Sequence, residues 1–425
     1  MSAGAPVPAT NEAELDPEVA TATGLRTGWT TGTCASAAAK AATSWLVHGV
    51  APDEVEVALP SGRRVRFEVA DIDPAQPYRC AVVKDAGDDP DCTDGAHVTA
   101  HVAWRDGDGD GVGAPSTELD GVGAPSTELD GVGTPSTELD GVGTPSTELD
   151  GVGALGQERV ELAGGEGVGV VTLPGLGLAV GAPAINPVPA RMIRAAIAEV
   201  TDRAVRCTIS VPGGQAMAER TSNDRLGIVG GISILGTTGV VRPFSTASYR
   251  ASVVQQLDVA AAQQAGTVVL STGSRSDAAA QRLWPELAPV CFVEVGDFTG
   301  IALRRAAALG LASVHFVGMA GKIAKLAAGE MMTHFRRSKV DSALLAEVAA
   351  EVGASAPVRA AATATATARH FAEVCVAAGE LGPLAALCGR AARACEAHAA
   401  SEGRPALRVD VTMIDFEGRE VLAHG

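Results

Sequence analysis

Three short segments concentrate groups able to handle an anion, a sugar hydroxyl or a proton. Thr27-Gly28-Trp29-Thr30-Thr31-Gly32-Thr33 places two glycines and four hydroxyls ahead of an alanine-rich run. Helix capping accounts for Thr33 and leaves Thr30 and Thr31 unexplained. Gly236-Thr237-Thr238-Gly239 repeats the theme between apolar runs. Lys84-Asp85-Ala86-Gly87-Asp88-Asp89-Pro90-Asp91 holds four carboxylates in seven residues, with a glycine that lets the backbone turn sharply. Crowded carboxylates can hold raised pKa values and serve as acid or base, which puts Asp85 and Asp88 forward as catalytic groups. The same residues suit hydrogen bonds to ribose hydroxyls or pyrrole N–H groups, and equally a solvated acidic turn.

The elements that must position these residues fall into two patterns. In the first half, Thr33 is placed to cap a helix from Cys34 to Val47 that Gly49 stops. Strands are predicted at 54–59, 64–69, 97–104, 159–164, 168–173 and 206–211, with a helix opening at Pro189. From about Ser248 helices and strands alternate, with strands at 267–273, 291–296 and 313–318. That rhythm predicts a Rossmann-like parallel sheet. Helices fill about 341–400, and a terminal strand pair closes the chain. The fold class is therefore α/β: an α+β domain over 25–245 and a Rossmann-like α/β domain over 246–425 with a helical C-terminal part.

Parallel sheets bind ligands beyond the carboxyl ends of their strands. Those ends are Ser271-Thr272-Gly273, Gly296-Asp297 and Gly318 to Lys322, each introducing a helix whose free N–H groups suit a carboxylate. Two look-alikes fail. Gly318 to Lys322 lacks the glycine and the hydroxyl residue that a phosphate loop requires at 316 and 323. Gly165 to Gly169 is followed by a strand-like run where a helix should open, so a hairpin or strand bend is expected.

Composition narrows the partners. A formal net charge of −17 argues against nucleic acid. No apolar run is long enough to span a bilayer, and residues 1–24 read as a disordered tail without signal-peptide character. The eight cysteines show neither C-x-x-C nor metal-ligand spacing, so reduced structural thiols and no protein-bound metal are expected. The decapeptide DGVGAPSTEL begins at Asp110 and recurs at Asp120, Asp130 and Asp140, with Thr for Ala in the last two copies. So little apolar surface predicts a disordered insert over 106–156, expanding a hairpin loop between strands 97–104 and 159–164.

RTGWTTGTCASAAAKAA, KDAGDDPD, GGEGVGVVTLPGL, PAINPVPARMI, GGISILGTTGVVRP, GDFTG and AGKIAKLAAG stand in one order along the chain. Taken together they resemble the cobalt-precorrin-5B (C1)-methyltransferases of oxygen-independent cobalamin biosynthesis. The resemblance runs from about Leu25 to Asp341 and weakens beyond. It implies a cytoplasmic enzyme that moves a methyl group from S-adenosylmethionine to C-1 of an anionic cobalt corrinoid, with transient contacts to other corrin-pathway enzymes. Cobalt would arrive within the substrate. Within that reading Gly236, Thr237, Thr238, Gly239, Ser271, Thr272, Gly273, Gly296 and Asp297 are the cofactor-binding candidates. Thr30, Thr31, Lys84, Arg191, Arg225, Lys322 and His334 are the substrate-binding candidates. Two departures stand out: the repeat insert, and Leu173 where the family pattern commonly carries lysine. A non-catalytic corrinoid carrier is the alternative.

Overall fold

The computed structural model describes residues 24–105, 159–333, 341–400 and 406–425. The N-terminal tail, the decapeptide insert and His334 lie outside the described residues.

After a two-residue strand β1 (Gly28–Trp29), helix α1 spans Thr31–His48. The cap is Thr30, whose side chain accepts from the Thr33 N–H, so the helix starts three residues earlier than expected. Gly49 closes it in the left-handed conformation, which its missing Cβ permits. Alanine, cysteine and threonine line α1 on every side and thirteen of its residues are buried. A helix apolar all round belongs inside a protein. Small side chains let α1 sit against the hairpin of β2 (Glu54–Ala58) and β3 (Arg64–Glu68), and against the sheet formed by β4 (Arg79–Val83) and β5 (His97–Trp104).

Three more strands follow: β6 (Val160–Gly164), the short β7 (Val170–Val171) and β8 (Val205–Ser210), with helix α2 (Pro187–Ala198) between β7 and β8. Pro187, not Pro189, opens α2, and α2 packs on α1. The four-stranded sheet runs β4-β5-β8-β6. The expected hairpin between β5 and β6 is therefore corrected. Strand β8 lies between them, antiparallel to β5 and parallel to β6. A tight turn forces neighbouring strands to pair; a connection of the length of 106–158 imposes no such adjacency. Helix α3 (Gly214–Ala218) and strands β9 (Ile228–Val229) and β10 (Val240–Val241) finish this half. β10 pairs with β1, so the two glycine-threonine segments become neighbours.

The second half alternates as expected: α4 (Thr246–Ala262), β11 (Thr267–Ser271), α5 (Ser274–Leu283), β12 (Phe292–Glu294), α6 (Thr299–Ala308), β13 (Ser313–Met319) and α7 (Ala320–Ala327). Helices α8 (Ser342–Glu351), α9 (Ala356–Ala364), α10 (Ala368–Ala377) and α11 (Gly382–Ala399) lead to β14 (Arg408–Ile414) and β15 (Val421–His424). The sheet order is β12-β11-β13-β14-β15, parallel except for the edge strand β15. This is the doubly wound 2-1-3-4-5 arrangement. Helix α5 covers one face through Ala279 and Ala280 against Val269, Phe292 and Val317. Apolar residues of α4, α6, α7 and α11 share the main core with the sheet.

Two large cores result. One surrounds α1, and the other underlies the parallel sheet. Val171, Leu176, Ala184, Leu226 and Ile228 precede residue 245 yet join the second core, so the halves are packed together and not merely tethered.

Candidate functional site

The acidic loop and the Arg26–Thr33 segment interlock through backbone. Trp29 N–H donates to the Asp85 carbonyl at 2.7 Å and Asp88 N–H donates to the Arg26 carbonyl at 2.9 Å. A Cβ on Gly28 would stand 2.1 Å from the Ala86 carbonyl carbon, and one on Gly87 would stand 2.3 Å from the Arg26 oxygen. Glycine is required there by close approach. The carboxylates complete the clasp. Asp85 pairs with the Arg26 guanidinium and accepts the Gly87 N–H at 2.9 Å. Asp88 accepts the Arg26 N–H at 2.7 Å, and Asp91 pairs with buried Lys84 at 2.6 Å.

These contacts overturn the expectation of raised carboxyl pKa values at two of the four. Burial alone would raise Asp85, but hydrogen bonds from Arg26 and the Gly87 N–H outweigh it and hold the carboxyl below its ordinary value. Asp91 is likewise lowered, its burial outweighed by Lys84 and Thr93. A carboxylate made more acidic is a weaker base. Asp85 and Asp88 fasten two strands together, and neither lines the cleft described next.

That cleft, of about 580 Å³, opens between the two halves. One wall is Thr30 with Leu235, Gly236, Thr237 and Thr238; the other is Gly296, Asp297 and Phe298 at the carboxyl end of β12. The linking segment from Val240 to Tyr249 forms the rim, and Asp89, Pro90 and Asp91 reach it from the acidic loop. Its volume falls in the range of small-molecule sites, which favour domain junctions. Gly236, at φ +132°, lets the loop pass over Thr30, where a Cβ would come within 2.4 Å of the threonine side chain. Gly296, at φ +55°, lies close under Tyr249. The Tyr249 hydroxyl donates to the Glu294 carbonyl at 3.3 Å and the ring leans on Phe298 with centroids 5.5 Å apart. Burial, then the charges of Glu294 and Asp297, push its phenol up to about 12. Asp297 pairs with Lys322 and accepts the Thr333 hydroxyl at 3.3 Å.

Of the candidate residues, the structure brings Thr30, Gly236, Thr237, Thr238, Gly296 and Asp297 to this cleft. Gly239 sits behind it against Leu59 and Thr33. Thr31 is 3% exposed and ties its hydroxyl to Leu235 backbone on both sides, at 2.9 and 3.2 Å. Lys84 is 1% exposed and committed to Asp91. Lys322 reaches the cleft only through Asp297. Ser271 is buried and bonded to Asp277 at 3.3 Å, and the Thr272 N–H donates to the Ser276 Oγ at 2.9 Å. Gly273 opens α5 beside them. Arg225 forms a two-pronged pair with Asp277 at 3.0 and 2.5 Å and faces a separate depression with Trp284 and Phe292. Arg191 is exposed on α2. Leu173 packs against Gly227 and the second core, an apolar role a lysine would fill poorly.

Sequence reasoning missed Arg242, Phe244, Tyr249 and Phe298. Arg242 stood within the quoted GGISILGTTGVVRP motif, and only the folded linker aims it at the cleft. The expected strand bend at Gly165 to Gly169 is present: Gly167 packs backbone-to-backbone against Gly214 and Gly231, with no room for a Cβ on any of them. All eight cysteines are free thiols. Among the described residues no cluster of His, Cys, Asp and Glu could hold a metal ion, and no helix is long and apolar enough to cross a membrane.

A doubly wound sheet facing a glycine-threonine unit across a cleft of small-molecule size defines an α/β protein with a candidate site between two packed halves. The CbiD family model matches residues 18–129 and 148–243, and the model of the CbiD C-terminal domain matches 332–425. A cobalt-precorrin-5B C(1)-methyltransferase from Salinispora arenicola is 53% identical, covering 94% of this chain and 92% of that protein. One of the same name from Rubrobacter xylanophilus is 50% identical over 96% and 94%. The chain belongs to the CbiD family. A solved structure of a cobalamin biosynthesis protein (cbiD) from Archaeoglobus fulgidus is 24% identical over 78% of this chain and 85% of that one, with a TM-score of 0.35. That superposition is too loose to bear on the site.

Proposed function

We propose that this chain is a cobalt-precorrin-5B C(1)-methyltransferase and that the cleft between its halves is where the methyl group is transferred. The observation that carries the location is the meeting, at one cleft, of two separate family motifs, the Gly236–Thr238 loop and the Gly296–Phe298 loop. The observation that carries the activity is membership of the family at 53% identity to a relative of that name.

S-adenosylmethionine fits the β12 wall. Gly296 keeps the backbone low under Tyr249, Tyr249 and Phe298 offer an aromatic surface for a flat base, and Asp297 offers a carboxylate for hydroxyl or ammonium groups. When bound there it would supply a methyl group already activated on a sulfonium. The chain's own work is then alignment and exclusion of water. Lys322 and Thr333 fix the Asp297 carboxylate, and the Glu294 carbonyl fixes the Tyr249 ring. The Thr30 to Thr238 wall faces them as the acceptor side. Asp89, Asp91 and Asp297 are the carboxylates that line the cleft, and we place proton acceptance with Asp89 in preference to Asp85 and Asp88, since Asp297 is committed to Lys322. Asp91 is committed to Lys84. The enzyme's place is the cytoplasm, where this donor and reduced thiols coexist.

Purified protein incubated with the cobalt corrinoid and methyl-labelled S-adenosylmethionine is expected to move the label to C-1. Corrinoid binding without label transfer would replace this reading with that of a carrier.

A further inference from the structure

The linker between the halves holds a residue that folding alone does not account for. Phe244 adopts φ +55°, a conformation unfavourable for a bulky side chain, and is 70% exposed at the cleft rim. Its N–H is held by the Asp89 carboxylate at 2.9 Å, reaching across from the acidic loop. The molecule thus uses a charged hydrogen bond to keep a strained backbone whose ring stays in water. Strain of this kind collects at functional sites. Two further large apolar side chains lining the same cleft are also exposed, Leu235 at 50% and Tyr249 at 38%. Exposed apolar surface gathered at a concave site marks a binding surface.

Two residues before Phe244, the exposed Arg242 lines the same rim, and no carboxylate pairs with it among the described residues. Arg26, Arg225 and Lys322, by contrast, are each paired with an aspartate. In a chain with a net charge of −17, an unpaired guanidinium beside an exposed aromatic ring is a matched pair of features. An arginine fork binds carboxylates in two-pronged fashion, and an aromatic face stacks on a flat conjugated ring.

Resting on the methyltransferase reading, we infer that Arg242 and Phe244 form the substrate-discriminating clamp of the cleft. The Phe244 ring covers one face of the macrocycle, and Arg242 pairs with a carboxylate on its periphery. Asp89 positions the clamp by fixing the Phe244 backbone. The clamp therefore selects acidic, non-amidated corrinoids over forms whose side chains have been neutralised.

Binding of cobyrinic acid and of its fully esterified form, followed by absorbance, tests this on the full chain. The wild type is expected to prefer the acid. Arg242→Gln is expected to weaken acid binding about tenfold or more while leaving the ester nearly unchanged. Phe244→Gly is expected to weaken both forms by a similar factor of about ten, yet to keep or raise Tm because glycine relieves the positive φ. A structural role would instead lower Tm and spare affinity. If the wild type binds neither form, or does not prefer the acid, the clamp is wrong, and the methyltransferase reading is decided separately by the label-transfer experiment. If the wild type prefers the acid and Arg242→Gln retains that preference, or Phe244→Gly binds as well as wild type, the clamp is wrong and the reading stands.

Discussion

Lys84 and Asp91 show how a residue can look chemical and act structurally. The lysine is 1% exposed and meets Asp91 at 2.6 Å. Asp91→Asn would leave a buried ammonium without its counter-charge and is expected to cost about 3–5 kcal/mol, read as a fall in the urea midpoint. Lys84→Met combined with Asp91→Asn removes both charges and should recover most of that loss. Asp85 and Asp91 both sit below their ordinary pKa, so their sign is the same. Their contribution is fully present above the unfolded value of about 3.9 and is lost as pH falls through the lowered folded values. Acid titration of stability should show this loss below about pH 4, and Arg26→Gln should shrink the Asp85 part of it, because the folded carboxyl then rises toward its unfolded value.

At the scale of elements, the threonine-rich segment divides its labour. Thr30 caps α1, so Thr30→Ala should cost about 1 kcal/mol of stability. Gly28→Ala should cost more, about 3 kcal/mol, because its Cβ would meet Ala86 backbone that a neighbouring side chain cannot yield. Denaturant unfolding of the two variants ranks them. An equal or reversed ranking would contradict the interlock of β1 with the acidic loop. The same elements mark where sequence reading stopped short. The glycines at 28, 87, 236 and 296 were visible as a signal. What they admit is the backbone or side chain of a distant segment, and no spacing along the chain carries that.

Across the whole molecule, the cleft depends on both halves, since its walls come from Gly236–Thr238 and Gly296–Phe298. Ligand bound there should stabilise both together. S-adenosylhomocysteine at a hundredfold its Kd is expected to add about 2.7 kcal/mol, seen as one cooperative unfolding transition shifted to higher Tm. A shift confined to a second, separate transition would place the ligand within one half only.

The α/β class, the alternating second half and the family motifs follow from the chain's order, because apolar periodicity and turn residues act over a few neighbours. The expectations that failed needed contacts between remote residues. Strand β8 slid between β5 and β6 because sheet pairing answers to packing and not to chain order. Asp85 became an acidic clasp because Arg26 stands against it. Arg242 and Phe244 reached the cleft because the linker is pinned at Asp89, a residue 155 positions away from Phe244 in sequence. Residue types and local order set which groups were available; tertiary structure decided which were neutralised by a partner and which were left facing the cleft.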